Sequence, residues 1–394
     1  MHNNINQTAV FIMENFSVYN PTRLHFGKGC VSEKLAQEAS VWGKRALILI
    51  GKGSVKKNGI LDDVTRQLDQ AGIAYEVFEG IKSNPIYQDA DRAIAQSKAF
   101  KADMIIGVGG GSVIDTAKAV ALGHYSNASI WDIYMRQVEA PAQALPLLCV
   151  LTLAATGTEM NMFAVLQNDE ARIKKGFGHP GMYPKVSFLD PAYTLSVPLN
   201  YTAYGVADLM AHTFELYFDP SDAPLSNYFA TDIIALAFDY GRAVIQKPQD
   251  YDVRANIMWL ATTALNGTLN AGKRGGDWGV HAIEHALSVL FDIPHGAGLS
   301  IAYPAWLKHF LPKIKDKLTF MAERTLGKGT TAEAFIDYLE NFFKEIGTPI
   351  RLSEVGIGED KHPLILEVFK QNRVRGMHFD MNEEDHKAIL QLMA

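Results

Sequence analysis

The residues with the most pointed chemistry are one aspartate and a set of histidines. Asp208 and His212 stand four apart in Gly205-Val206-Ala207-Asp208-Leu209-Met210-Ala211-His212, a strongly helical stretch. That spacing puts both side chains on one face, which would otherwise be core. Trp278-Gly279-Val280-His281-Ala282-Ile283-Glu284-His285 sets two more histidines on one helical face, and Pro294-His295-Gly296 opens a new segment with another. A lone imidazole on an apolar face is usually a satisfied core residue. One carboxylate with three or four imidazoles, all in apolar helical contexts, is a donor set for a divalent metal, Zn²⁺ or Fe²⁺. His281 to His285 also spells His-x-x-Glu-His, the inverted zinc-peptidase pattern with Glu284 as general base. That rival leaves Asp208, His212, His295 and the glycine turn described next without a role.

Gly109-Gly110-Gly111-Ser112-Val113-Ile114-Asp115 joins an apolar run to a helical one. Glycines there let the backbone approach a pyrophosphate, and the helix start offers free N–H groups and a positive dipole end. Ser112 is placed to cap that helix and donate to a phosphate oxygen. The turn is not Gly-x-Gly-x-x-Gly, so it is not the common dinucleotide fingerprint. Thr152 and Thr156 lie just past another strand, where ligands collect in open α/β sheets. Lys52, Lys56 and Lys57 follow the first strand, and no acid occupies Gly51 to Ser54.

These residues need a scaffold, and the chain alternates short apolar runs with amphipathic ones to supply it. Ala46–Ile50, Ala74–Phe78, Met104–Val108, Pro146–Thr152 and Val186–Leu189 read as strands. Between them Ile60 to near Gly72, Tyr87–Phe100 and Ser112–Gly123 carry helical periodicity, which means βαβ units and a parallel sheet. After Asp190-Pro191 the rhythm turns helical: Ala203–Phe218, Leu225–Val244, Asp252–Leu265, Asp277–Leu290, Lys313–Leu326 and Ala332–Ile346. The expectation is a Rossmann-like α/β domain over residues 13–195 and an all-α metal-binding domain over 196–394.

Bulk composition excludes several classes. With 394 residues, 48% hydrophobic and 20% charged, the chain is globular and long enough for two domains. A net charge of −6 gives no reason to expect nucleic acid. The most apolar stretch, Leu145 to Ala155, is about half of the ~20 residues a membrane helix needs, so no membrane is expected. Residues 1–12 lack Lys and Arg and a long apolar run, so they read as a loose extension rather than a secretory signal. Cys30 and Cys149 form no framework, which suits a cytoplasmic protein.

Taken together, these motifs resemble the iron-containing (group III) alcohol dehydrogenases, nearest their butanol dehydrogenase and aldehyde reductase branch. The resemblance runs from Asn20-Pro21-Thr22-Arg23 to the C-terminal helices, through Gly-Gly-Gly-Ser-x-x-Asp-x-x-Lys, Asp-x-x-x-His and the spaced histidines. It implies that Asp208, His212, His281 and His295 hold the metal and that His285 lies by the substrate. It implies that Gly109, Gly110, Gly111, Ser112 and Asp115 form the phosphate turn, and that Thr152, Thr156, Asn161 and Lys174 face the cofactor. Asn84-Pro85 resembles the family's Asn-Pro after the second strand. Members that prefer NAD(H) carry an Asp after the first strand. Gly51 stands there, followed by Gly53 and Ser54, which implies NADP(H). A small aldehyde or alcohol would be the substrate and a homodimer the assembly. Glycerol dehydrogenase-like enzymes and dehydroquinate synthase share the same fold, so the resemblance fixes fold more firmly than substrate.

Overall fold

A run such as Ala46-Leu47-Ile48-Leu49-Ile50 has no polar side chain for solvent and is stable only when covered on both faces. The computed structural model, which describes residues 13–394, supplies that cover. The first half runs β1 (Arg23–Phe26), α1 (Cys30–Trp42), β2 (Arg45–Ile50), α2 (Ser54–Lys57), α3 (Ile60–Gln70), β3 (Ala74–Phe78) and α4 (Tyr87–Phe100). It continues β4 (Met104–Gly109), α5 (Gly111–Gly123), α6 (Ile130–Tyr134), β5 (Leu147–Leu151), β6 (Phe163–Asn168), β7 (Ile173–Gly178) and β8 (Val186–Leu189). Six strands form an all-parallel sheet in the order β1-β8-β5-β4-β2-β3.

Alternation along β2 divides the core. Ala46, Ile48 and Ile50 pack with Leu35 of α1 and with Val64 and Leu68 of α3. Leu47 and Leu49 face the other way, toward Ala90 and Ile94 of α4 and Ile114 and Ala117 of α5, in a core that continues into the helical half. The two halves therefore share one apolar interior on that side of the sheet.

The second half is α7 (Leu199–Tyr217), α8 (Pro224–Gln246), α9 (Tyr251–Ala264), α10 (Gly279–Phe291), α11 (His295–Leu326), α12 (Ala332–Glu345), α13 (His362–Asn372) and α14 (Glu383–Met393). None of the described helices is long and apolar enough to cross a membrane.

The five expected strands are all present, and three further strands were not anticipated. Strand β1 is a four-residue edge, and β6 and β7 form an antiparallel hairpin outside the main sheet. Helix α11 starts at His295 rather than Lys313, because Pro304 and Pro312 lie inside it instead of ending it. Helices α1, α13 and α14 were also unanticipated. The expected extension over residues 1–12 lies outside the described residues.

Candidate metal and cofactor site

The carboxyl ends of β2, β4 and β5 lie side by side, and the sequence puts its glycines there. Gly51 and Gly53 follow β2, and Gly53, at φ 102°, leads into α2 with Ser54. A Cβ on Gly51 would meet the Ile81 carbonyl at 3.6 Å and Val113 at 3.8 Å, which is ordinary contact, so a larger residue has room. Glu79, just after β3, comes within 3.7 Å of a Cβ on Gly53 and is ion-paired with Lys56.

Gly109 ends β4 and Gly110 is the N-cap of α5, whose first turn has no side-chain cap and no acid. A Cβ on Gly111 would lie 2.7 Å from Thr156, and one on Gly110 3.2 Å from Leu153, so this turn packs directly on the loop after β5. Thr152 donates its N–H to the Gly109 carbonyl at 3.0 Å. The Ser112 hydroxyl donates to the Ser83 carbonyl. Asn84 donates to Asp292 at 2.8 Å and to the Ile293 carbonyl at 3.3 Å, joining this edge to the segment before His295.

Asp115 and Asn161 have their polar atoms engaged elsewhere. Asp115 accepts from the Thr158 hydroxyl at 2.6 Å and the Val165 N–H at 2.8 Å. Asn161 accepts from Lys118 at 3.0 Å and the Phe163 N–H at 2.9 Å, and donates to the Gly157 carbonyl at 2.9 Å. Lys118 sits at the centre of this network, and no role for it had been read from the sequence. Lys174, on β7, reaches Asn84 at 3.2 Å and Glu284 at 3.4 Å.

In the helical half, the ligand atoms of Asp208, His281 and His295 lie within 4.8 Å of one another. Asp208 Oδ1 is the hub: His212 Nδ1 is 3.4 Å away, His295 Nε2 3.6 Å and His281 Nε2 4.0 Å. His212 stands beside the group of three with its ring stacked on His281 at 4.8 Å. Asp208 Oδ1, His212 Nδ1 and His281 Nε2 are buried without a hydrogen-bond partner among the described residues. Metal bonds of about 2.0–2.1 Å give ligand-to-ligand edges of about 3.3–3.4 Å in a tetrahedral site, so these separations suit a small divalent cation. Burial raises Asp208 to about 6 and lowers His281 to about 4, and burial with the neighbouring imidazoles holds His212 well below the ordinary value. Burial thus keeps the imidazoles neutral, as metal ligation requires, and leaves the Asp208 carboxylate in need of a positive charge.

Two buried glutamates support the imidazoles. Glu215 Oε1 lies 2.9 Å from His281 Nδ1, leaving Nε2 free, and Glu215 also accepts the N–H groups of Trp278 at 2.6 Å and His281 at 3.1 Å. It so caps the start of α10 from a neighbouring helix and holds Trp278 at its positive φ of 63°. Glu284 bonds His295 Nδ1 and accepts from Ser288. Burial alone would raise Glu284, but His295 and Lys174 hold it well below the usual range. Fully buried and occupied in this way, Glu284 is not placed as a peptidase's general base, which counts further against the rival inverted zinc-peptidase pattern. A carboxylate on the far ring nitrogen fixes which nitrogen of a ligating histidine carries the proton, and both glutamates are placed to do this. Glu215 was not singled out from the sequence; the signal that could have found it is its spacing, seven residues from Asp208 and three from His212 on the same face of α7. His285 lies outside the hub, its ring 5.9 Å from His295 and 6.5 Å from His281. Burial, then Lys174, keeps it well below the ordinary histidine value.

Two glycines press this centre against the sheet. A Cβ on Gly205 would lie 2.2 Å from the Ala154 carbonyl, and one on Gly296 would lie 2.1 Å from the Tyr204 carbonyl. The loop after β5, the start of α7 and the start of α11 are therefore stacked backbone on backbone.

Comparison with known proteins identifies the family. The family model for iron-containing alcohol dehydrogenase matches residues 21–191, and that for the C-terminal part of the Fe-containing alcohol dehydrogenase family matches 202–393. The chain is 38% identical over 386 residues to a probable NADH-dependent butanol dehydrogenase 1 of Bacillus subtilis, covering 96% of this chain and 99% of that one. It is 36% identical over 371 residues to the NADPH-dependent aldehyde reductase YqhD of Escherichia coli, covering 91% and 94%. The crystal structure of NADH-dependent butanol dehydrogenase A from Thermotoga maritima superposes with a TM-score of 0.93 at 38% identity, covering 97% of this chain and 99% of that one. Matched across both halves, the chain belongs to the iron-containing alcohol dehydrogenase family, among its butanol dehydrogenases and aldehyde reductases.

Proposed function

We propose that the protein interconverts a primary alcohol and its aldehyde with NADP(H), using one divalent cation, Fe²⁺ or Zn²⁺, held by Asp208, His212, His281 and His295. The observation that carries this reading is the set of three unpartnered buried atoms converging on one hub. When bound, the cation supplies Lewis acidity toward the substrate oxygen and the reduced nicotinamide supplies hydride. The chain's own residues do the rest. The uncapped start of α5 receives the pyrophosphate on its free N–H groups, with the Ser112 hydroxyl tying the turn to the Ser83 carbonyl. Glu215 and Glu284 fix the imidazoles so that no reorganisation accompanies the reaction. His285, neutral at pH 7, carries one N–H and one lone pair and passes a proton between solvent and the substrate oxygen.

The NADP(H) preference rests on the turn after β2, where Gly51 offers no carboxylate to repel a 2′-phosphate and Lys52, Lys56 and Lys57 lie close by. Two charge-assisted hydrogen bonds at ~1.5–3 kcal/mol each predict more than a tenfold preference. NAD(H) is the second reading, favoured by Glu79 beside Gly53 and by the printed names of the butanol dehydrogenases. We also propose a homodimer, supported by exposed Phe16, Val18 and Tyr19 leading into edge strand β1. A reducing cytoplasm suits the buried free thiols of Cys30 and Cys149.

The test is metal analysis joined to an aldehyde panel with NADPH and NADH, in wild type and Gly51→Asp. One equivalent of metal, activity lost on stripping, and a shift toward NADH in the variant are the expected results. Aldehyde reduction by metal-free protein would overturn the metal's role. A wild-type NADH preference would overturn the reading of the turn. A monomer by light scattering would overturn the dimer.

A further inference from the structure

The two carboxylate–histidine supports are built differently. Glu215 is held by groups of its own helical half, the N–H groups of Trp278 and His281. Glu284 is held across the junction between the halves. Its Oε2 bonds His295 Nδ1 on one side and lies 3.4 Å from Lys174 Nζ on the other, and Lys174 belongs to the α/β half. Lys174 is bonded in turn to Asn84 Oδ1 at 3.2 Å, and Ser83, the residue before Asn84, accepts from Ser112 of the glycine turn. The Ser83-Asn84 segment, bonded at one end by Ser112 and at the other by Lys174, therefore links the glycine turn to the support of His295. The side chains of Lys174 and Glu284 are 5% and 0% exposed, so separating them leaves a buried charge uncompensated.

The pair has no evident duty as a fastener. The tip of the β6–β7 hairpin is already tied to α13, with Gln371 donating to the Ala171 carbonyl at 2.9 Å and Asn372 to the Arg172 carbonyl at 2.8 Å. An ammonium beside a site for a dication is electrostatically adverse by itself. It is tolerable because it holds the carboxylate that aims His295 at Asp208.

Resting on the proposed reading of the two ligands, we infer that Lys174 and Glu284 are positioning residues that couple nicotinamide-cofactor binding to metal binding. A cofactor lying along the glycine turn and the Asn84 loop keeps the α/β half closed on the helical half, which keeps Lys174 on Glu284 and His295 in its ligating pose. By linkage the metal tightens cofactor binding by the same factor. The route passes through His295. His281, supported from within its own half, is not on it.

The experiment measures the Zn²⁺ dissociation constant of the full chain against a chromophoric chelator, with and without saturating NADP⁺ and with no alcohol present. The reciprocal measurement is the NADP⁺ dissociation constant with and without Zn²⁺. In wild type each ligand is expected to tighten the other about tenfold, within the range usual for coupled sites. In Lys174→Met the factor falls to about one, with Zn²⁺ and NADP⁺ each bound more weakly than in wild type but still measurably. Glu284→Gln, which keeps the shape, gives the same reading if Lys174→Met does not fold. Glu215→Gln weakens Zn²⁺ about 10–100-fold, as loss of an outer-shell partner does, yet keeps the tenfold coupling. A wild-type factor of one with both ligands bound overturns the inference, as does a tenfold factor surviving in Lys174→Met. Failure of wild type to bind Zn²⁺ or NADP⁺ alone overturns the underlying site reading instead.

Discussion

Two buried polar clusters, one in each half, look alike in composition and differ in completeness. In the α/β half Lys118 gives its ammonium to Thr158 at 2.7 Å, Asn161 at 3.0 Å and the Phe163 carbonyl at 2.7 Å, filling all three donor positions. Asp115 closes the set through Thr158 and Val165, tying α5 to the β6–β7 hairpin. In the helical half Asp208, His212 and His281 each keep an unpartnered buried atom. Single unpartnered atoms occur elsewhere, as at Glu159 Oε2, but only around Asp208 do three of them converge among the described residues.

The comparison can be broken at either end. The largest effect is expected from His281→Ala, which should remove the metal and bring aldehyde reduction to background while the circular dichroism spectrum stays native. Full metal content in that variant would take His281 out of the ligand set. His285→Ala should keep the metal and lose roughly 10²–10⁴ in rate, as acid–base groups do. Metal loss there would make His285 a ligand.

Stability separates the clusters more directly. Lys118→Met should destabilise by about 3–5 kcal/mol, because it strands buried Asp115. In metal-free protein Asp208→Asn should leave the melting temperature unchanged or raise it, since it removes a carboxylate with nothing to bind. Equal losses from the two substitutions would erase the distinction.

The smallest effect is a slope with pH. Burial brings Lys118 down to about 8 from an ordinary 10.5. Between those values the unfolded chain still binds the proton that the folded chain has shed, so this group makes stability rise with pH by at most about 1.4 kcal/mol per unit. Below about 8 both states are protonated and its contribution is flat. The difference between wild type and Lys118→Met in denaturant titrations across pH 8–10 reads it, and parallel slopes would show that Lys118 does not titrate there.

What the sequence made legible follows the same division. The central strands are apolar on both faces and were readable as runs. The hairpin was not, since Ile173-Lys174-Lys175-Gly176-Phe177-Gly178 has no clean alternation, and with it went the aim of Lys174. The helix expected over Lys313–Leu326 begins eighteen residues earlier, at His295, because burial of the first half of α11 outweighs the local penalty of Pro304 and Pro312. The histidines declared a metal centre by their number and spacing. The jobs of Glu215 and Glu284 did not show, because a supporting carboxylate is defined by what it touches across the fold. Asp115 and Asn161, implied as cofactor contacts by family likeness, have partners that only the fold brings near.

The backbone stacking at Gly205 and Gly296 bears on how this scaffold can change. A methyl group at either position would meet a main-chain carbonyl rather than a side chain able to swing aside, so the start of α7 or of α11 would have to move as a body. A Cβ on Gly51 would make only ordinary contacts, at 3.6 Å with the Ile81 carbonyl and 3.8 Å with Val113. In a randomised library Gly205 and Gly296 should be nearly invariant among survivors while Gly51 drifts freely. Variation in this protein would then gather at the turn after β2, with the seat of α7 and α11 against the loop after β5 as the fixed inheritance.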